Sequence, residues 1–350
     1  MLPFAEAPRR VCILRLSAIG DTCHIVPVLR TMQDAWPGTR FTWIIAKSES
    51  RLMRLIDGVE FIIVDKRAGL GGLAAVRREL GGRSFDVLLH MQVALRASLI
   101  ALAVRAPVKL GFDRARAREL QWLVTNARVA PRAREHVLDG FFGFTQALGI
   151  EARSLRWDVP LPLPAQEYAR ALIPDAQPTL VISPCSSHAA RNWRPERYAA
   201  VAAHAVRRHG MRVILSGGPS RLEEETGAAI VRAAQVPLMN QIGRDTLPEL
   251  LALLQRASVL LSPDSGPVHM ATMVGTRVLG LYAATNPARS GPYLSQEWCV
   301  NAYGAAARRY RQREPEELPW TTKIEEPGVM DLIDVDEVVT KLDELLRSHP

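Results

Sequence analysis

The stretch Ile13–Met32, "ILRLSAIGDTCHIVPVLRTM", decides the fold. An apolar run ends at Leu16, a short turn of small residues follows, and a helix-like apolar pattern opens with Asp21 at its mouth. Strand, tight turn and helix in that order are the start of a parallel α/β unit. Such turns are common phosphate sites, because a helix N-terminus offers unsatisfied N–H donors and a positive dipole. A carboxylate there repels phosphate, so Asp21 either caps the helix or does acid–base work.

The same rhythm runs outward along the chain. In the first half it predicts strands at Val11–Leu16, Arg40–Ile45, Phe61–Val64, Asp86–His90 and Val108–Phe112, with helices at Ile25–Ala35 and Leu70–Leu80. Residues 158–178, "DVPLPLPAQEYARALIPDAQP", hold prolines at 160, 162, 164, 174 and 178 and read as a linker with one short helix. The rhythm then restarts, with strands at Thr179–Ser183, Arg212–Ser216, Val259–Ser262 and Arg277–Tyr282. Helices are expected at Pro195–Arg208, Arg221–Ala234, Leu247–Gln255 and Val268–Val274. A chain of 350 residues fits two domains of about 150 each. The expectation is two Rossmann-like α/β domains facing a central cleft, the first over 1–165 and the second over 178–330. A last helix over 331–350 is capped by Asp334, which explains the D-x-D of Asp334 and Asp336 without a metal.

Composition narrows the class. The chain is 48% hydrophobic, enough for sizeable cores, yet no segment reaches the roughly 18 apolar residues of a membrane span. Cys12, Cys23, Cys185 and Cys299 are far apart, with no C-x-x-C pair, which argues against a disulfide framework or structural zinc and for a reducing compartment. The N-terminus does not have the order of a signal peptide. A net charge of +8 points to an anionic partner. Much of it is concentrated in Arg105, Lys109, Arg114, Arg116, Arg118, Arg128, Arg132 and Arg134, opposed by Asp113 and Glu119. Nucleic acid is disfavoured, because that stretch has only Phe112 and Trp122 as stacking platforms.

Three turns of the second half share one design. In "VISPCSSHAARNW" a strand leads through Ser186 and Ser187 to Arg191; in "VILSGGPSRLEEE" Gly217 and Gly218 join strand to helix; in "VLLSPDSGPVHMA" Asp264, Ser265 and Gly266 do so. In an open α/β sheet these turns gather at the carboxyl ends of the strands, where ligands bind. Helix N-termini, hydroxyls and a forked guanidinium together suit a nucleoside diphosphate. The G-x-G-x-x-G of a dinucleotide dehydrogenase is absent. His269 falls inside a helical pattern, where a structural histidine and a ligand contact are both open readings.

Taken together, "LSAIGDTCHIVPVLRTM", "SPCSSHAARNWRPERYAAVA", "SGGPSRLEEE" and "SPDSGPVHMATMVGTRVLGLYAATNPAR" resemble the ADP-heptose:lipopolysaccharide heptosyltransferases, glycosyltransferase family 9. The resemblance covers about residues 11–293. It implies a GT-B fold with an N-terminal acceptor domain, a C-terminal nucleotide-sugar domain and a last helix crossing back to the first. It implies inverting transfer of heptose from an ADP-sugar to the inner core of lipopolysaccharide, with no metal and no cofactor. By the resemblance Asp21 is the general base. Ser186, Ser187 and Arg191 hold the diphosphate, Arg191 standing where relatives carry lysine. Asp264, Ser265, Gly266 and His269 meet sugar and phosphates, Glu224 holds the ribose, and Arg118 lies near the acidic acceptor. A lipid-anchored acceptor implies peripheral contact with the cytoplasmic face of the inner membrane. Residues 296–330 do not match the pattern. A GT-B nucleotide-sugar epimerase or hydrolase, and a non-catalytic glycolipid-binding protein, are the alternatives.

Overall fold

The structure is a computed structural model and describes residues 4 and 6–348. The chain forms two compact units, one running to Pro160 and the other beginning at Leu161.

The first unit alternates strand and helix. Its order is β1 (Arg10–Leu14), α1 (Ile19–Ala35), β2 (Arg40–Ala46), α2 (Lys47–Met53), β3 (Val59–Val64) and α3 (Gly69–Leu80). It continues with β4 (Val87–His90), α4 (Leu95–Ala103), β5 (Val108–Gly111), α5 (Gln121–Val124), β6 (Ala127–Arg128) and α6 (Val137–Ala147). The strands form one parallel sheet in the order β3-β2-β1-β4-β5-β6. Parallel central strands are covered on both faces, so they read as unbroken apolar runs rather than alternating ones. Val11, Cys12, Ile13 and Leu14 are accordingly all fully buried.

The second unit opens with α7 (Leu163–Leu172), β7 (Thr179–Ile182), α8 (Pro195–His209), β8 (Arg212–Leu215), α9 (Arg221–Ala234) and β9 (Met239–Asn240). Next come α10 (Leu247–Arg256), β10 (Val259–Pro263), α11 (Gly266–Met273), β11 (Arg277–Tyr282) and α12 (Pro287–Ser290). β12 (Cys299–Asn301), α13 (Tyr303–Ala306) and α14 (Val335–Arg347) complete it. Its sheet, again parallel, runs β12-β11-β10-β7-β8-β9.

Both sheets therefore reverse direction beside their first strand, between β1 and β4 in one and between β7 and β10 in the other. Loops on either side of such a switch point diverge and leave a crevice at the carboxyl edge. The fold places two crevices of this kind, one per unit.

Three stretches are placed by the structure in more detail than by the sequence. The proline-rich stretch is not a free linker: Pro162 caps and Pro164 opens α7, whose Ala165 and Ala169 pack on Ala252 of α10. The segment 296–330 is integral to the second unit, adding edge strand β12 and pairing Ile324 N–H with the Ala284 carbonyl at 2.8 Å. The last helix is capped by Asp334, as the D-x-D suggests. It belongs to the second unit. Val338, Leu342 and Leu345, one helical stripe, are buried in the second unit's core, with α14 lying on α8, β11 and β12.

Candidate functional site

At the first switch point the chain leaves β1 beside the end of β4. The N–H groups of Leu16 and Ser17 both donate to Gln92 Oε1, at 2.6 and 3.3 Å. Arg15 donates to the Met91 carbonyl at 2.6 Å, forms a salt bridge with Asp21, and stacks over the Phe141 ring at 5.2 Å. Asp21 is thus held from outside its own helix. It is the third residue of α1, and the N-cap position belongs to Ala18, which has no side-chain acceptor. The Asp21 carboxylate reaches back to the Ala18 N–H at 3.3 Å and so serves one orphan donor of the helix start. Its side chain remains 30% exposed, against 12% for Arg15. The carboxylate is therefore oriented by a largely covered cation and is itself still open to an incoming hydroxyl.

His90, the last residue of β4, has both ring nitrogens buried and without a hydrogen-bond partner among the described residues. Burial, then the charges of Lys109 and Arg15, push its pKa down to about 4. A neutral imidazole beside Arg15 avoids a second cation near Asp21.

The second switch point brings two of the three turns together. Arg191 closes a 3₁₀ turn over Ala189–Arg191, and its side chain is only 10% exposed. Its NH1 donates to Asp264 Oδ2 at 3.3 Å, while Nε and NH2 both donate to Glu325 Oε1 at 3.0 and 2.8 Å. Burial works to raise the Glu325 carboxyl pKa, but the Arg191 bonds, with His188 and Lys323 nearby, hold it below the usual value. Ser265 occupies the N-cap position of α11 without capping it, and its hydroxyl lies 2.8 Å from that of Ser262. Ser262 in turn bonds the Ser183 carbonyl at 2.9 Å, tying β10 to the chain leaving β7. Gly266 opens α11 and His269 is buried within it, 7% exposed.

Ser186 is buried and local in its bonds: its N–H donates to Asn192 Oδ1 at 2.7 Å, and its hydroxyl accepts the His188 N–H at 3.4 Å. Ser187 beside it is exposed. The hydroxyl of buried Tyr282, the last residue of β11, has no hydrogen-bond partner among the described residues. A buried orphan hydroxyl at a strand end is rare in folded proteins.

The third turn sits one strand further out. Ser216 donates to Asp245 at 2.8 Å, and burial raises the Asp245 pKa to about 6. Among the three glutamates of α9, Glu223 accepts from the Gly218 N–H and the Ser220 hydroxyl, while the Ser220 side chain caps the helix by accepting the Glu223 N–H. Glu225 pairs with Arg221. Glu224 is exposed and makes no side-chain hydrogen bond among the described residues.

The basic stretch divides in the same way. Arg116 is consumed by Asp113 and Glu135, and Lys109 donates to the Ala101 carbonyl at 2.8 Å. Arg118 is exposed in the loop between β5 and α5. His204 and His209 of α8 both meet Asp343 of α14 at 2.7 Å, a grouping of metal-ligand type. It sits where α8 ends just before β8 begins, the opposite edge of the sheet from Arg191.

Arg15, His90, Gln92, Asp245, Tyr282 and Glu325 escape the sequence reading. For His90 and Tyr282 a signal existed, since each ends a predicted strand, and Gln92 follows His90 by two residues. Glu325 had none, because it is 134 positions from Arg191.

Comparisons with known proteins bear on the family and the fold. A model of glycosyltransferase family 9 (heptosyltransferase) matches residues 73–319. The lipopolysaccharide core heptosyltransferase OpsX of Haemophilus influenzae is 38% identical over 342 residues, covering 98% of each chain. A glycosyl transferase family 9 structure from Veillonella parvula has a TM-score of 0.80 at 20% identity, with 97% of each chain covered. Escherichia coli heptosyltransferase WaaC with ADP gives 0.71 at 20% identity, covering 96% of this chain and 99% of that one. The structural likeness identifies the GT-B fold. By the family match and the near full-length relative, the chain is an enzyme that belongs to glycosyltransferase family 9, the heptosyltransferases.

Proposed function

We propose that this enzyme is an inverting, metal-independent transferase that moves a heptose from ADP-heptose to the inner core of lipopolysaccharide. The first unit takes the acceptor and the second takes the nucleotide-sugar. The observation that carries the chemistry is Asp21, a partly exposed carboxylate held by Arg15 at the first switch point.

In this reading the acceptor hydroxyl attacks the anomeric carbon while its proton passes to an Asp21 oxygen. The bond from that carbon to the diphosphate breaks, and its electron pair leaves with ADP. Attack from the face opposite the leaving group inverts the centre. Arg191, Ser186, Ser187, Ser265 and the Gly266 end of α11 donate to the charge growing on the diphosphate. Asp264 and His269 flank the sugar and phosphates, Glu224 takes the ribose, and Arg118 meets the acidic acceptor. No helix among the described residues is long and apolar enough to cross a membrane. Contact with the lipid-anchored acceptor is then peripheral, at the cytoplasmic face of the inner membrane.

The test is transfer from ADP-heptose to a truncated, soluble core acceptor in excess EDTA. The expected product carries one added heptose whose anomeric configuration, read by NMR, is opposite to the donor's. Retention of configuration, or activity that returns only with added Mg²⁺, would contradict the reading.

A further inference from the structure

The acceptor proposed above is lipid-anchored, and the following rests on that reading. The outer face of α4 is not polar. Leu95, Leu99 and Leu102 are 46%, 40% and 62% exposed, and their spacing aligns them on one stripe of the helix. Ala97, Ser98, Ile100 and Ala101 fill its buried face. The neighbouring α5 packs against α4, and around it Leu120, Trp122 and Leu123 are 47%, 40% and 60% exposed. Glu119 joins the two elements, its carboxylate accepting the Leu95 N–H at 2.7 Å and its carbonyl the Ser98 hydroxyl at 3.1 Å. Single exposed leucines need no explanation, but six large apolar side chains on two adjoining elements mark an interaction surface.

Its charge says what kind. Arg96, Arg114 and Arg118 are exposed and have no carboxylate partner among the described residues. The Arg114 guanidinium lies over the Trp122 ring at 5.5 Å, so cation and indole are presented side by side. Leucines to enter the acyl boundary, a tryptophan for the headgroup level and arginines for lipid phosphates are the makings of an interfacial segment. A second copy of the chain is a poorer occupant, since each copy carries a net charge of +8.

The surface is also in the right place. Gln121, the first residue of α5, is buried and donates to the carbonyls of His90 and Gln92 at 2.8 and 3.3 Å. Gln92 in turn holds the N–H groups of the Asp21 turn. Two hydrogen-bonded steps, through Gln92, therefore join α5 to the turn that carries Asp21. We propose that α4 and α5 dock this enzyme on an anionic phospholipid bilayer, which brings the headgroup sugars of an embedded acceptor to that turn.

The experiment is co-sedimentation of the full chain with vesicles of phosphatidylcholine, with and without phosphatidylglycerol. It compares wild type with the Leu102→Asp/Leu123→Asp double variant, whose two positions lie outside the catalytic and binding groups. Wild type should partition onto the phosphatidylglycerol vesicles, and the double variant at least about tenfold less. Melting, and transfer to the soluble acceptor, should be unchanged. Equal partitioning of the two proteins, or a wild type that ignores anionic vesicles, would overturn the proposal. So would a wild-type dimer that the double variant splits, because the face would then be a self-contact. Loss of vesicle binding in the variant, with neither protein active on soluble acceptor, would support the docking surface and strike the proposed function instead.

Discussion

Asp21 is bonded in two directions, to the Ala18 N–H of its own helix and to Arg15 before the turn, and only the first was legible in the sequence. A carboxylate at a helix start announces itself by position, whereas a side chain across a turn does not. Arg191 shows the same division. Its place after a strand marked it as a phosphate ligand, yet its two carboxylate neighbours come from 73 and 134 positions away. Charge-assisted hydrogen bonds are worth about 1.5–3 kcal/mol each, so Arg191→Ala should weaken ADP binding at least about tenfold in calorimetry. The substitution also leaves Asp264 and Glu325 without their shared cation, and melting should fall as well. Arg191→Lys keeps the charge but not the fork, and should bind ADP more tightly than the alanine variant. An alanine variant that binds ADP like wild type would remove Arg191 from the donor site.

At the scale of elements, α9 sorts three consecutive glutamates by what each already does. Glu223 is committed to the Gly218 N–H and the Ser220 hydroxyl and Glu225 to Arg221, which leaves Glu224 available to a ligand. Glu223→Ala should therefore cost about 1 kcal/mol of stability with little change in ADP affinity. Glu224→Ala should do the reverse, weakening ADP binding without lowering the melting temperature. Calorimetry and thermal melts on the two variants check this, and equal behaviour would mean that neither glutamate has a separate role. Ser220, whose hydroxyl accepts the Glu223 N–H, is why α9 starts where the sequence places it. Strands β6 and β9 were not legible, because two residues carry no periodicity and their pairing is set by the neighbouring strand. Helix α7 was half legible: its prolines mark a boundary, but only packing against α10 shows which unit it joins.

Over the whole molecule, the repeated strand–helix rhythm made two parallel sheets readable, since buried parallel strands are apolar throughout. Strand order was not readable, and it is the order that puts Asp21 in one crevice and Arg191 in the other. The proposed reaction needs both units, with proton removal assigned to the first and donor binding to the second. Asp21→Asn tests that division most directly. Asparagine can still accept from the Ala18 N–H, but it forms no salt bridge with Arg15 and takes no proton. A partly exposed ion pair contributes up to about 1 kcal/mol, so melting should drop by a few degrees at most. Loss of a general base costs about 10²–10⁴ in rate. The decisive measurement is single-turnover heptose transfer by wild type and Asp21→Asn, with ADP affinity determined on the same samples. The account predicts unchanged ADP affinity and transfer at least about a hundredfold slower in the variant. Transfer at more than about a tenth of the wild-type rate, where chemistry is limiting, would show that Asp21 is not the base.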